Sequence, residues 1–456
     1  MDGGRQMNWE KLLSAARVGR GAGTAAAGTD FSENAERNFA GKSFAGTPGG
    51  RSEFERDYGR ILYSSAFRRM QDKTQVFPLG RNDYVRTRLT HSLEVANIAG
   101  AFGKIVGEKL LERHARLRSR GVTPAHFSAI VSAAGLAHDI GNPPFGHSGE
   151  EALEAALVRK GISRKFEGNA QGFRLLTRIG DPIGGNGLQL TAAVLGAFMK
   201  YPCSEAFSKS AKSGCEISCK KFGFIDADAP AAQFVAAQTG LIPISDVPAA
   251  LAWTRHPLAF LSEAADDLSY LIADLEDAFI SKIISFDAIR AFLFPLISAE
   301  NRGRAERVRE RDGEESAVHY VRAVAISAGI REISRVFLAR EDALLAGTQA
   351  RPLVCESAFA EAIEALRKFS FETVYSAPSV VEIELMGFRV IDALFDFFFD
   401  WVEKPDSPKG RRIAVMFGRE NLADAPAETR LLHLLDRISG MTDSYALATY
   451  RKLHGI

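Results

Sequence analysis

Of the nine histidines in the chain, His91, His138 and His147 stand in its two most unusual stretches, RTRLTHSLEVANIAG (residues 86–100) and AGLAHDIGNPPFGHSGEEAL (residues 134–153). In the second stretch a run of small and apolar residues leads straight into adjacent His138 and Asp139, and Gly141 and two prolines then stop it. A buried apolar helix has little reason to end in His-Asp unless both side chains share a polar partner. Neighbouring helical positions diverge by about 100°, yet at a frayed end both can reach one ion. An imidazole and carboxylate set suits Mn²⁺, Fe²⁺, Ni²⁺ or Zn²⁺, and Mg²⁺ is compatible. The bland alternative is a helix terminus, with His⁺ on the macrodipole and Asp capping the next element.

A further acidic ligand is expected in an apolar setting, and HPLAFLSEAADDLSYLIADLEDA (residues 256–278) offers one. Asp266, Tyr270 and Asp274 fall at i, i+4 and i+8 and form one helical stripe, opposite Leu268, Leu271, Ile272 and Leu275. Six acids and no base lie between Ser262 and Asp277, so either bulk water or a cation must offset their repulsion. Asp267 sits at the edge of the same face, and periodicity alone leaves Asp266 and Asp267 both open.

The elements that must position these groups read as helices. Spacings of three and four predict helices over 91–113, 125–138, 148–160, 168–180, 188–200, 258–284, 286–298, 315–338, 355–370, 386–402, 411–418 and 427–453. Few segments alternate with period two, and no strand–Gly-rich loop–helix unit occurs. The fold class expected is all-α, with one large helical body. Breaks are expected at 141–144, at 181–187 and at the charged stretch 299–316, and NRGRAERVRERDGEES reads as a solvated loop. Residues 201–247 read as a long surface excursion, and residues 1–50, rich in Gly, Ala and Ser, as a flexible extension.

With 456 residues, 46% hydrophobic and 25% charged, the chain can bury a substantial core. That excludes disorder, collagen and a coiled-coil rod for the whole chain. Lys and Arg number 57 against 56 Asp and Glu, which argues against a polybasic nucleic-acid binder. Cys203, Cys215, Cys219 and Cys355 are too few and scattered for a disulfide framework, and Cys215 and Cys219 lack further ligands at zinc spacing. No signal-type segment or membrane span appears, so a cytoplasmic location is expected.

The pattern of His91, His138-Asp139 and a distant Asp resembles the HD-domain phosphohydrolases. Within them, the chain resembles the bacterial deoxyguanosinetriphosphate triphosphohydrolase (dGTPase) family. The matching stretches are ERDYGRILYSSAFRRMQDKTQVFPL, VRTRLTHSLEVANIAG, AHDIGNPPFGHSGE, FEGNAQGFRLL, EAADDLSYLIADLEDA and GMTDSYALATYRKLHGI. They extend over most of residues 51–456; the first 50 residues and the 201–250 region lie outside them. The resemblance implies an HD core over 51–300 with a C-terminal helical region, 301–456, packed on it.

Carried over by position, the resemblance implies metal ligands at His91, His138, Asp139 and Asp266, which selects Asp266 over Asp267. It implies a catalytic pair at His147 and Glu150. Tyr270 and Asp274 would line the triphosphate and sugar, Gln75 would contact the 3′-hydroxyl, and Arg88 the phosphates. Asn142 stands where some relatives carry another histidine, and it is left off the catalytic set. Lys220 and Lys221 are equally readable as triphosphate contacts or as a solvated pair. The implied activity is hydrolysis of a deoxynucleoside triphosphate, dGTP first among them, to deoxynucleoside and triphosphate with Mg²⁺ or Mn²⁺. Implied partners are a dNTP, further copies of the chain (a homo-oligomer, with a hexamer as one form), and a nucleotide or single-stranded DNA effector. The rival readings are an HD phosphohydrolase of other specificity, or a nucleotide- or single-stranded-DNA-binding regulator with weak turnover.

Overall fold

The computed structural model describes residues 6–18, 50–76, 85–179, 187–210, 216–244 and 251–455. Helices dominate, and among the described residues β-pairing is limited to isolated bridges such as Thr74 with Thr87 and Ser204 with Phe224. The all-α expectation holds. In chain order, the helices that frame the site and its supports are α1 (Trp9–Leu12), α2 (Glu53–Leu62), α3 (Arg88–Arg113), α4 (Pro124–Ala137), α5 (Gly146–Arg159) and α6 (Gly168–Arg174). They continue with α7 (Pro257–Ile280), α8 (Glu314–Ala339), α9 (Ala360–Phe369), α10 (Pro378–Glu403), α11 (Ala427–Ser439) and α12 (Asp443–His454).

Local chemistry explains where these helices begin and meet. Thr87 and Thr90 form a reciprocal cap at the start of α3, satisfying two of its orphan N–H groups. Helices α3 and α4 pack along a seam of small residues. There Ser128 and Ser132 donate to the Gly100 and Ala96 carbonyls at 2.9 Å each, fixing the axial register of the two helices. Just past α4 the chain turns so tightly that a Cβ on Gly141 would lie 2.1 Å from the Gly168 carbonyl oxygen, so glycine is required there. Helix α7 starts with His256 as cap and Pro257 at its first position, and it is buried on nearly every side.

Apolar packing among the described residues falls into one large cluster, a smaller one, and a minor third around Cys203, Cys219 and Phe222. The large cluster runs from Met7 to Val374 and includes the buried faces of α3, α4, α7 and α8. The smaller joins α5 (Ala152, Leu153, Ala156, Leu157) to α10, α11 and α12.

Several expectations need correction. Residues 6–18 are no loose arm: Met7, Trp9, Leu12, Leu13 and Val18 are all buried in the large cluster. Trp9 donates to Glu341 at 2.8 Å, and Arg17 pairs with buried Asp57 at 2.6 Å. Apolar side chains at helical spacing outweigh the Gly-rich sequence that follows, and residues 19–49 lie outside the described residues. The charged stretch is a helix, Ala299–Asp312, capped by Ser298 and held through buried Ala305; its arginines and acids alternate on the solvent side. The described parts of 201–247 are not a surface excursion, since Cys203, Phe222, Phe224 and Val235 are buried. The expected helix 427–453 breaks at Gly440–Thr442, where Thr442 caps α12. Cys219 lies buried with Cys203, whereas Cys215 and most of the 181–187 break lie outside the described residues. No described helix is long and apolar enough to cross a membrane.

Candidate active site

Helices α3, α4 and α7 bring His91, His138 and Asp266 together, with one ligand atom from each lying within 4.8 Å of the others. Asp266 Oδ1 is 3.2 Å from His91 Nε2 and 3.4 Å from His138 Nε2. The Nδ1 of His138 is 2.7 Å from the Gly135 carbonyl. That contact assigns the proton to Nδ1 and leaves Nε2 as the lone-pair nitrogen facing Asp266. His138 Nε2 and His91 Nδ1 are both buried without a hydrogen-bond partner. A dry, unpaired imidazole nitrogen facing a carboxylate, as His138 Nε2 does, is costly unless an ion satisfies it, so the donor set fits a divalent metal. Burial pushes the Asp266 carboxyl up, but the neighbouring His138 and His91 rings hold it below the ordinary range.

Asp139 stands at the edge of this group, its Oδ1 3.5 Å from His138 Nε2. Both of its oxygens already have partners: Oδ2 takes Arg88 at 2.5 Å and Oδ1 takes Asn142 Nδ2 at 2.7 Å. Asn142 thus touches the site after all, as a hydrogen-bond donor to Asp139. Asp267 points elsewhere, toward Arg367 at 3.9 Å.

A second set opens from the turn after α4. His147 Nδ1 lies 3.2 Å from Glu150 Oε2, and Glu150 Oε1 accepts the Gly168 N–H at 2.7 Å. The bond to Glu150 raises the His147 pKa, with burial working against it on a ring whose side chain is 74% exposed. Burial pushes Glu150 upward, but His147 and Lys221 bring its carboxyl below the usual range. Lys221 pairs with Glu167 at 3.1 Å and acts on the Glu150 carboxyl, which places that lysine on this side of the site.

The third set lies along α7. Tyr375 donates to Asp274 at 2.7 Å and stacks on Tyr270, with ring centroids 6.2 Å apart. Burial raises the Asp274 carboxyl to about 7, with the Tyr375 hydrogen bond opposing it. Gln75 sits in the segment that pairs with the start of α3, and its Oε1 is buried without a partner. Tyr375 and Arg367 escaped the sequence reading; their one signal was the eight-residue spacing along RKFSFETVY. Lys73 escaped it as well. Its ammonium donates to the Asn142 and Ser439 carbonyls at 2.5 and 2.7 Å, and burial, reinforced by Arg69, lowers its pKa to about 7.

The acidic run on α7 needs little from solvent. Arg86 binds Glu276 and Asp277, and Arg255 and Lys200 bind Glu263. Among the six acids, Asp266 and Asp274 are the two turned toward the histidines and the tyrosines.

Helices presenting a His, a His-Asp and a distant Asp to one point define an HD-domain phosphohydrolase. The HD domain model matches residues 88–198, and the phosphohydrolase-associated domain model matches 353–452. The chain belongs to the deoxyguanosinetriphosphate triphosphohydrolase family. It is 38% identical to a deoxyguanosinetriphosphate triphosphohydrolase-like protein of Synechocystis sp., over 99% of this chain and 100% of that one. It is 33% identical to a Listeria monocytogenes protein of the same description, over 99% and 100%. It is 30% identical to a Klebsiella pneumoniae deoxyguanosinetriphosphate triphosphohydrolase, over 88% and 94%.

Proposed function

We propose that this phosphohydrolase cleaves deoxynucleoside triphosphates, dGTP first among them, to deoxynucleoside and intact triphosphate with Mg²⁺ or Mn²⁺. The observation that carries the reading is the convergence of His91, His138 and Asp266, with His138 Nε2 buried and unpaired among them. Names of the relatives point to the substrate. His91, His138, Asp266 and, at the edge, Asp139 would hold the ion. When bound, a divalent ion there would supply Lewis-acid polarisation of the α-phosphate and make nearby water more acidic.

The protein's own groups supply the rest. Glu150 fixes His147 through Nδ1, leaving Nε2 to move a proton at the attacking water or the 5′-oxygen. Arg88 offsets charge on the phosphates while keeping Asp139 ionised and oriented. Gln75 and Asp274, with Tyr270 and Tyr375, read the sugar; a site built to bond a hydroxyl penalises a substrate lacking it. The reading extends to a homo-oligomer and to a nucleotide or single-stranded DNA effector, which light scattering and a dNTP panel with and without effector address.

Each dNTP should be incubated with Mg²⁺ or Mn²⁺ and the first phosphorus product identified by ³¹P NMR. Triphosphate is expected; pyrophosphate or orthophosphate appearing first would refute the reaction. His138→Ala and Asp266→Ala should lose Mn²⁺ binding by calorimetry together with turnover. Full activity in either would sink the ligand set.

A further inference from the structure

Buried Asp443, the first residue of α12, is 1% exposed. It is not needed to cap its helix, since Thr442 does so through the Tyr445 N–H. Its two oxygens reach instead to two distant segments. Oδ2 accepts the Thr74 N–H at 2.9 Å and the Thr74 hydroxyl at 2.5 Å. Oδ1 accepts the Phe145 N–H at 2.9 Å.

Both segments carry groups of the site. Thr74 precedes Gln75. Phe145 begins the turn that presents His147, and it holds a left-handed backbone (φ 60°) that aromatic residues rarely adopt. Two neighbours reinforce the same junction. Lys73 joins Asn142 to the Ser439 carbonyl at the end of α11. Gly387 of α10 lies so close to Phe145 that an added Cβ would sit 2.5 Å from the Phe145 Cβ. A buried carboxylate satisfied by donors from two functional segments is costly to assemble and rigid once made.

We infer that Asp443 is a positioning residue, by which the C-terminal helices set the Gln75 segment and the His147 turn in register with each other. The inference rests on the proposed reaction for its kinetic readout. Asp443→Asn keeps the volume but offers one acceptor where two are used, so one of the two segments loses its anchor. Thr74→Val disturbs the Gln75 side alone, and Gly387→Ala disturbs the His147 side alone.

The test uses full-length protein, a dNTP and its 2′,3′-dideoxy analogue. Asp443→Asn should lower kcat/KM on the dNTP by roughly tenfold to a hundredfold, as small misplacements do, and shrink the preference for dNTP over the dideoxy analogue. Thr74→Val should shrink that preference with kcat little changed. Gly387→Ala should lower kcat with the preference intact, so these two decide the matter even if Asp443→Asn fails to fold. A lower melting temperature in Asp443→Asn with wild-type kcat, KM and preference would show a merely structural role and overturn the inference. Hydrogen exchange without nucleotide separates the two readings. If wild-type protein releases no triphosphate the reaction assignment fails, whereas faster exchange at Thr74 or at Phe145 in Asp443→Asn still upholds the tie, and unchanged exchange at both removes it.

Discussion

His256 is fully buried at the start of α7, with Nε2 3.0 Å from the Leu12 carbonyl and Nδ1 accepting the Leu258 N–H at 3.1 Å. Burial lowers its pKa to about 4, against the opposing pull of the Leu12 carbonyl. The folded protein therefore binds this proton more weakly than the unfolded chain, whose histidine titrates near 6.5. Its contribution to stability is present above about pH 6.5 and is lost as the pH falls toward 4, a span worth about 3 kcal/mol. Urea unfolding of wild type and His256→Gln between pH 4 and 7 checks this: the variant should show the shallower pH slope, and parallel slopes would contradict it. At this scale the sequence announced the His-Asp dipeptide and a distant acid, because metal-binding types are rare in apolar runs. It could not separate Asp266 from Asp267 by period. Only the fold turns one toward two histidines and the other toward Arg367. Tyr375 and Asp443 were invisible for a different reason. Their partners lie 101 and 369 residues away, and a single tyrosine or aspartate carries no spacing signal.

Among the elements, α1 shows how four residues can matter more than their length implies. Trp9 is 3% exposed, meets Phe127 edge-on at 5.8 Å between centroids, and donates to Glu341. Trp9→Ala should cost about 3–5 kcal/mol by urea unfolding, because the cavity would open in the largest apolar cluster. Trp9→Phe should cost about 1 kcal/mol, since Glu341 keeps His114 and Arg113 when the indole donor goes. Near-equal losses would mean that the hydrogen bond, and not the ring volume, secures the strap. Trp9, Leu12 and Leu13 fall inside the stretch expected to be a flexible extension, because nothing in the sequence says what covers them. Helix α7 teaches the converse. Its stripe and length were readable from periodicity, yet the expectation that water or a cation offsets its acids was too general. Arg86 and Lys200 from remote segments, and Arg255 from just ahead of the helix, pair with three of the six.

For the molecule as a whole, the near-neutral sum of 57 bases and 56 acids conceals a division of labour. The two larger apolar clusters are bridged by buried polar contacts: Lys73 to Ser439, Asp443 to Thr74, and Arg174 to Asp436 at 2.8 Å. The smaller cluster covers α5, the helix that carries His147 and Glu150. Polar contacts of this kind contribute less net stability than apolar burial and depend on exact geometry. Loosening the smaller cluster should therefore disable the site before the larger body unfolds. Phe398 is fully buried within that cluster, and Phe398→Ala should remove about 3–5 kcal/mol from it. In a urea series, this variant should lose turnover at a lower concentration than it loses most of its helical circular dichroism, with a wider gap than in wild type. Trp9→Ala strikes the larger cluster, so it should lower both midpoints together. If the two signals fall together in both variants, the clusters unfold as one cooperative unit, and the polar bridges are stronger than their number and kind imply.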